Sequence, residues 1–371
     1  MKRFAPTLLA MCLGAAGPAM ADDATSFQVE PKARLHLDYG AYDADVEPMD
    51  DGLIVRRATL GLEGQFNADW SFEVGYGFAD DGEIRPRDGE FRDVTLEYEG
   101  WSAGDITVGQ FKLPFGLEEA TSSNDLSLIE RSLPVDTFAP SRRMGVGFSH
   151  ERKAWTIRAM VFGSSISGRD RGRGAAARFT LAPVHNASTV VHFGVAAVTE
   201  KPHGEVDFDT TPEARVADVD LVNTGDIAHV DRINRLGLES AWRAGPYSVQ
   251  AEWMQAAVER GNGWSDADLD GWYVAGSWVL TGESRPYEDG EFKGVEPDGP
   301  GGAWELTLRY SRIDLTDGDV RGGREHNVTV GLNYYLNEHV RMMLNVIDVH
   351  SRRHGVTDDP GIVLLRAQFN L

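Results

Sequence analysis

The sequence predicts an all-β chain, a transmembrane β-barrel of about sixteen antiparallel strands. Three observations carry that reading. Apolar and polar residues alternate with period two through most of the chain, the connections between such segments run long and short in turn, and the amino end reads as an export signal.

That amino end is MKRFAPTLLAMCLGAAGPAMADD. Lys2 and Arg3 precede an apolar run, and Ala19 and Ala21 are small residues at cleavage spacing, so residues 1–21 are expected to leave and residues 22–371 to form the barrel domain. The run is too short to remain as a membrane span. Cys12 is the only cysteine, so the mature chain can build no disulfide and no thiolate metal site. After Asp22 no stretch of about eighteen apolar residues occurs, which leaves a closed β-barrel as the one way across a bilayer.

The formal charge of −22 becomes −24 without Lys2 and Arg3, and that argues against nucleic acid as a partner. The acids gather in short runs such as DADVEPMDDG, ADDGE, SDADLDG and TDDPG, which read as loops between strand-like segments.

Alternation places strands near 33–41, 53–66, 70–80, 91–100, 104–113, 143–150, 153–162, 173–182, 189–197, 233–243, 247–256, 271–281, 303–312, 325–335, 339–348 and 362–371. In the second, Ala58, Leu60, Leu62 and Phe66 alternate with Arg57, Thr59, Glu63 and Gln65. In the third, WSFEVGYGF, Trp70, Phe72, Val74, Tyr76 and Phe78 share one face, with Ser71, Glu73, Gly75 and Gly77 on the other. Trp155, Ile157 and Val161 repeat the pattern, as do Trp304, Leu306, Leu308 and Tyr310, and then Met342, Leu344 and Val346.

The connections at 67–69, 101–103, 151–152, 244–246 and 336–338 are short, whereas 42–52, 81–90, 114–142, 198–232, 257–270 and 349–361 are long. Short turns on one side and long loops on the other fit an outer-membrane barrel. The segment 282–302 breaks the order: either that turn is elaborated or the strand count slips there.

The faces expected to point inward carry Arg57, Arg158, Arg178, Arg235, Arg309, Arg341 and Arg366 beside Glu63, Glu73, Glu97, Glu239, Glu252 and Glu305. A soluble sandwich also has one polar and one apolar face, so this pattern is supportive only. Trp70, Trp101, Trp155, Trp272 and Trp304 suit an interfacial girdle or a core equally well.

No sequence motif supplies an enzyme. Asp266 to Gly271 opens like a calcium loop, but its twelfth position is Ser277, and His350 and His354 lack the helix that would align them as metal ligands. GRDRGRG, Gly168 to Gly174, reads as a flexible loop. No catalytic residue, metal site or cofactor is expected.

The informative irregular stretch is Gly109 to Phe148. It holds Pro114, Pro134 and Pro140, little alternation, and the basic residues Lys112, Arg131, Arg142 and Arg143. A connection this long is usually functional, and one folded into a wide barrel narrows its pore. Residues 114–142 are therefore the expected constriction loop.

GQFKLPFGLEEATSSNDLSLIERSLP, with RRATLGLEGQFNADWSFEVGYGFA and GWYVAGSWVLTGESRPY, resembles the phosphate-selective porin family, also called porin O/P. The resemblance implies a sixteen-stranded barrel in the outer membrane of a Gram-negative bacterium, in contact with its lipid, trimeric, and with an inward-folded third loop. It implies passive diffusion of small hydrophilic solutes, anions such as phosphate or polyphosphate, along arginines and lysines. Lys112, Arg131, Arg142 and Arg143 lie in or beside the matching block, and Arg285 in the TGESRPY block. The other readings are a non-selective or weakly cation-preferring pore, a phospholipase-type outer-membrane enzyme, and a soluble exported carbohydrate-binding sandwich.

Overall fold

The computed structural model describes residues 27–84 and 89–371; the expected signal peptide, 1–21, lies outside the described residues. Sixteen long strands follow one another around a single closed sheet: Phe27–Asp43 (β1), Gly52–Phe66 (β2), Trp70–Ile84 (β3), Glu90–Tyr98 (β4), Asp105–Phe111 (β5), Arg143–Arg152 (β6), Trp155–Phe162 (β7), Gly172–His185 (β8), Thr189–Pro202 (β9), Val230–Ala244 (β10), Tyr247–Arg260 (β11), Ala267–Val279 (β12), Ala303–Asp317 (β13), Val320–Tyr335 (β14), Val340–Arg353 (β15) and Gly361–Asn370 (β16). Each pairs antiparallel with its chain neighbours. The sheet closes where β1 meets β16, from Arg34 opposite Asn370 to Asp43 opposite Gly361. Closure removes every strand edge, which a bilayer requires because it offers no water to unpaired backbone groups.

Each segment that alternation predicts corresponds to one of these strands. Several reach further on the long-loop side: β14 begins at Val320 and β15 runs to Arg353. Residues 313–324 are therefore mostly a paired ribbon, turning at Gly318, whose φ is 57°. Pro360, which has no N–H to donate, separates β16 from a short strand at Val356–Asp358 that also pairs with β15.

The outward face is apolar and exposed, with Leu60, Leu62, Val74, Leu308, Val330, Met342 and Leu365 along it. At the short-turn end aromatic pairs form a belt: Phe66 and Trp70 (5.9 Å), Trp70 and Tyr98 (4.9 Å), Tyr247 and Trp278 (5.7 Å), and Trp304 and Tyr334 (4.5 Å). Trp272 and Tyr310 (5.2 Å) meet midway along their strands. An aromatic belt at the rim is a mark of a barrel surrounded by lipid. Asparagines close three of the short turns. Their side-chain oxygens accept backbone N–H groups two or three residues on: Asn67 from Asp69, Asn186 from Ser188 and Thr189, and Asn337 from His339 and Val340.

The strand count does not slip at 282–302. The chain between Val279 and Ala303 is an elaborated turn on the short-turn side. It carries a small hairpin pairing Tyr287–Glu288 with Glu291–Phe292 and buries Tyr287, Phe292 and Val295. Three segments thus pack against the inner wall: residues 112–142, residues 203–229 and this turn. Their apolar side chains make the interior core. Leu113, Phe115, Leu133, Val135 and Phe138 meet Met254, Val258, Leu269, Tyr273 and Ile313 of β11 to β13, joined by Val206, Phe208, Val222 and Ile227.

Candidate functional site

The chain leaves β5 at Phe111 and is turned by Pro114 and by Gly116, whose φ of 76° an L side chain would resist. Two short helices follow, Leu117–Ala120 (α1) and Leu133–Phe138 (α2), the second with Pro134 in its first turn. The wall opposite holds α1 in place. Glu252 of β11 accepts the backbone N–H groups of Leu117 and Glu118, both at 2.7 Å, and the Tyr273 hydroxyl at 2.7 Å.

Inward arginines of the last strands bind the same loop. Arg309 lies 3.2 Å from the Glu118 carboxylate, donates to the Glu130 carbonyl at 3.0 Å and pairs with Glu213 at 2.6 Å. Arg341 donates to the Leu126 carbonyl and to Gln368, each at 2.8 Å. Arg366 pairs with Asp38 and Glu130 and donates to the Ile129 carbonyl at 2.5 Å. All three are almost fully buried. Arg143 is also buried, between Glu200 (3.3 Å) and Asp170 (3.2 Å), and Arg235 shares Glu200 at 2.8 Å. These five fix loops to the wall and do not line the open space.

That open space is a cavity of about 570 Å3 between the loop and β1 to β8. Arg57, Lys112, Arg131, Arg142 and Arg158 line it, together with three cations that alternation left unassigned: Lys32, Arg34 and Arg92. Arg178 touches its margin, but is spent on Glu239 (2.8 Å) and the Gly290 carbonyl (2.9 Å). Carboxylates are interspersed. Arg142 makes a two-pronged pair with Asp93 at 3.0 and 2.7 Å, Arg131 meets Glu119 at 2.9 Å, and Lys112 lies 3.5 Å from Glu119. Burial alone would raise the Glu119 carboxyl, but Arg131 and Lys112 hold it below the usual carboxylate range. Burial pushes the Lys112 ammonium down to about 7, against the pull of Glu119. Glu130 sits well below the usual range, since Arg56, Arg57 and Arg366 together outweigh its burial.

Arg34 is different. Its guanidinium donates to the hydroxyls of Ser123 (2.9 Å) and Ser122 (3.4 Å), and no carboxylate lies within ion-pair distance among the described residues. Among the described residues Arg57 has only Glu130 as an ion-pair partner, at 3.8 Å, and one of its terminal nitrogens makes no hydrogen bond. Lys32 and Arg34 share the inward parity of His36 and Asp38, so an alternation read from Glu30 onward finds them.

Arg92 and Arg56 come inward for another reason. Opposite β3 the register shifts so that Val94 faces Val74 while Phe91 faces Tyr76, and this extra residue turns both Arg92 and Asp93 to the cavity. A second bulge, where His36 faces Arg57 and Leu37 faces Val55, buries the consecutive Arg56 and Arg57.

The turn at 280–302 borders the cavity through Glu291. Its Glu291 pairs with Arg158 at 2.5 Å, and Arg158 also meets Glu151 at 2.7 Å. Tyr287 shares a 2.6 Å hydrogen bond with His192, and Arg285 donates to the Asp125 carbonyl at 3.1 Å, which ties the turn to the loop. Nothing in the chain gathers three metal-ligating side chains among the described residues. A charged cavity inside a lipid-facing barrel, with loops packed against its inner wall, is suited to admitting small polar solutes.

Comparison with known proteins agrees. Porin O of Pseudomonas aeruginosa is 26% identical over 91% of this chain and 87% of its own length. The outer membrane protein OmpT of Vibrio cholerae has the same fold, with a TM-score of 0.64 as a loop L8 deletion mutant and 0.59 in its trimer form. Those two are 12% and 11% identical, covering 94% and 93% of this chain and 100% of each OmpT chain. An anion-selective porin from Comamonas acidovorans matches with a TM-score of 0.59 at 13% identity, covering 93% of this chain and 100% of that one. The model of the family described as phosphate-selective porin O and P matches residues 29–371, and the chain is a member of that family, a porin of the Gram-negative outer membrane.

Proposed function

We propose that this porin is an anion-preferring diffusion channel for small oxyanions such as phosphate, working as a trimer. The observation that carries the reading is Arg34: a cation on the cavity whose partners are two serine hydroxyls rather than a carboxylate. Arg57 beside it is only loosely paired. An anion arriving there exchanges water for guanidinium and hydroxyl hydrogen bonds, which favour oxyanions. Elsewhere on the cavity Lys32, Lys112, Arg131, Arg142 and Arg158 each share a carboxylate, which weakens the field a solute feels. Sites of that strength let the anion leave again, as conduction requires.

Membership of a family described as phosphate-selective, the anion-selective porin of the same fold and the trimer form of OmpT support this reading. The test is the reversal potential of the purified protein in a planar bilayer under a salt gradient. Anion preference is expected, and Arg34→Gln is expected to reduce it; a cation-preferring wild type overturns the proposal.

A further inference from the structure

The sign of the wall charge reverses along the passage. Following β1 from the short-turn end, the inward residues read Gln28, Glu30, Lys32, Arg34, and following β2 from the same end they read Gln65, Glu63, Gly61, Thr59, Arg57. Glu30 lies opposite Glu63 in the register, and Glu63 lies opposite Glu73. With Glu97 of β4 these carboxylates line a second open space of about 440 Å3 at the short-turn mouth, which shares Glu73, Thr95 and Glu97 with the wall of the main cavity.

One cation answers them. Lys32 pairs with Glu63 and lies 3.7 Å from Glu73. Glu30 is exposed and has no ion-pair partner among the described residues. On the other side of the mouth Arg158 is balanced by two carboxylates, Glu151 and Glu291. The mouth is net negative, whereas the zone above it, with Arg34, Arg57, Lys112, Arg131 and Arg142, holds more cations than acids.

The separation decides whether the two zones act independently. Glu30 and Arg34 are four residues apart on one strand, about 13 Å at the rise of an extended chain. The screening length is about 8 Å at physiological ionic strength and about 3 Å at 1 M salt. At physiological salt each zone therefore sets its own local ion population, and at 1 M neither does.

We infer that the pore is bipolar and rectifies, with Glu30, Glu63, Glu73 and Glu97 as the element that gives its current a direction. A positively charged zone fills with anions and a negatively charged one with cations. When the periplasmic side is positive, anions enter through the upper zone and cations through the mouth, both accumulate between, and conductance is high. With the opposite polarity both are drawn away and the junction is depleted. The conducting polarity is the one that carries anions inward. This inference rests on the anion reading for its upper zone.

The experiment records current against voltage for barrels inserted from one side of a planar bilayer. In about 0.15 M KCl, current is expected to be about twofold larger when the periplasmic side is positive, and the asymmetry should vanish at about 1 M. The variant Glu30→Gln, Glu63→Gln, Glu97→Gln should conduct symmetrically at both concentrations while its reversal potential still shows anion preference. The isosteric changes lie on exposed or half-exposed wall positions, and the wild-type salt series tests the idea even where the variant assembles badly. Symmetric current from an anion-preferring wild type overturns the bipolar pore and leaves the anion channel standing. Asymmetry that persists at 1 M, or in the triple variant, overturns it too. A cation-preferring wild type overturns both readings.

Discussion

Arg366, on the last strand, faces Asp38, on the first, directly across the seam that closes the barrel, and joins it by two hydrogen bonds of 2.6 Å. The same guanidinium holds the Ile129 carbonyl and the Glu130 carboxylate. One side chain therefore fastens the seam and the loop at 112–142 together. Both partners are buried, so removing Asp38 leaves the Arg366 guanidinium to Glu130 alone, at a cost below the roughly 3–5 kcal/mol of a fully stranded buried charge. Asp38→Ala is expected to lower the temperature at which the folded barrel loses its compact migration on a gel. Unchanged heat resistance would refute this role.

Glu252 is a positioning residue for the loop. Its carboxylate accepts two backbone N–H groups that have no other partner at the start of α1. Replacing it leaves them unsatisfied, at about 1–3 kcal/mol each. Glu252→Ala should leave the barrel assembled while the single-channel conductance rises and its noise increases. Glu252→Gln, which keeps one acceptor oxygen, should lie between. Conductance identical to wild type in Glu252→Ala would show that the loop is held without it.

Neighbouring residues of β3 meet opposite surroundings. Val74 is 40% exposed on the outer face, and an arginine on a lipid-facing strand costs about 2–4 kcal/mol near the bilayer centre. Val74→Arg should prevent accumulation of folded protein in the outer membrane. Glu73→Gln should fold normally and change only conductance or selectivity. If both variants assemble equally well, the outward face of β3 is not in lipid.

Lys112 links permeation to pH. With its ammonium pushed down to about 7, it is charged below that pH and neutral above it. Anion preference, read as reversal potential, is therefore expected to weaken between about pH 6 and about pH 8. Lys112→Gln should flatten the profile at its weaker level. A profile that Lys112→Gln leaves untouched would assign the titration elsewhere.

The strands were legible because alternation reports burial side directly, and a membrane barrel applies that rule to all sixteen. The site was less so. Alternation says that Arg57, Arg158, Arg309, Arg341 and Arg366 all point inward. It does not say what waits inside, and for the last three the answer is the loop's own carbonyl oxygens. Those contacts bridge 179, 215 and 237 positions of sequence, and no local pattern encodes them. Arg92 escaped for a different reason: a bulge breaks the very parity that the reading depends on. The turn at 282–302 announced itself only as an irregularity, since its purpose lies in His192, Arg158 and Arg178, far from it in the chain.

Gly75 and Gly77 complete the bulge on β4. A methyl group built at either would stand 3.5 Å or 3.6 Å from the Arg92 side chain, which runs over both glycines. The two bare positions form a bed in which a long basic side chain can lie flat along the wall. Anything larger than alanine there would lift Arg92 into the stream. WSFEVGYGF thus writes a row of rings for the membrane on one face, and on the other it sets the clearance of the passage.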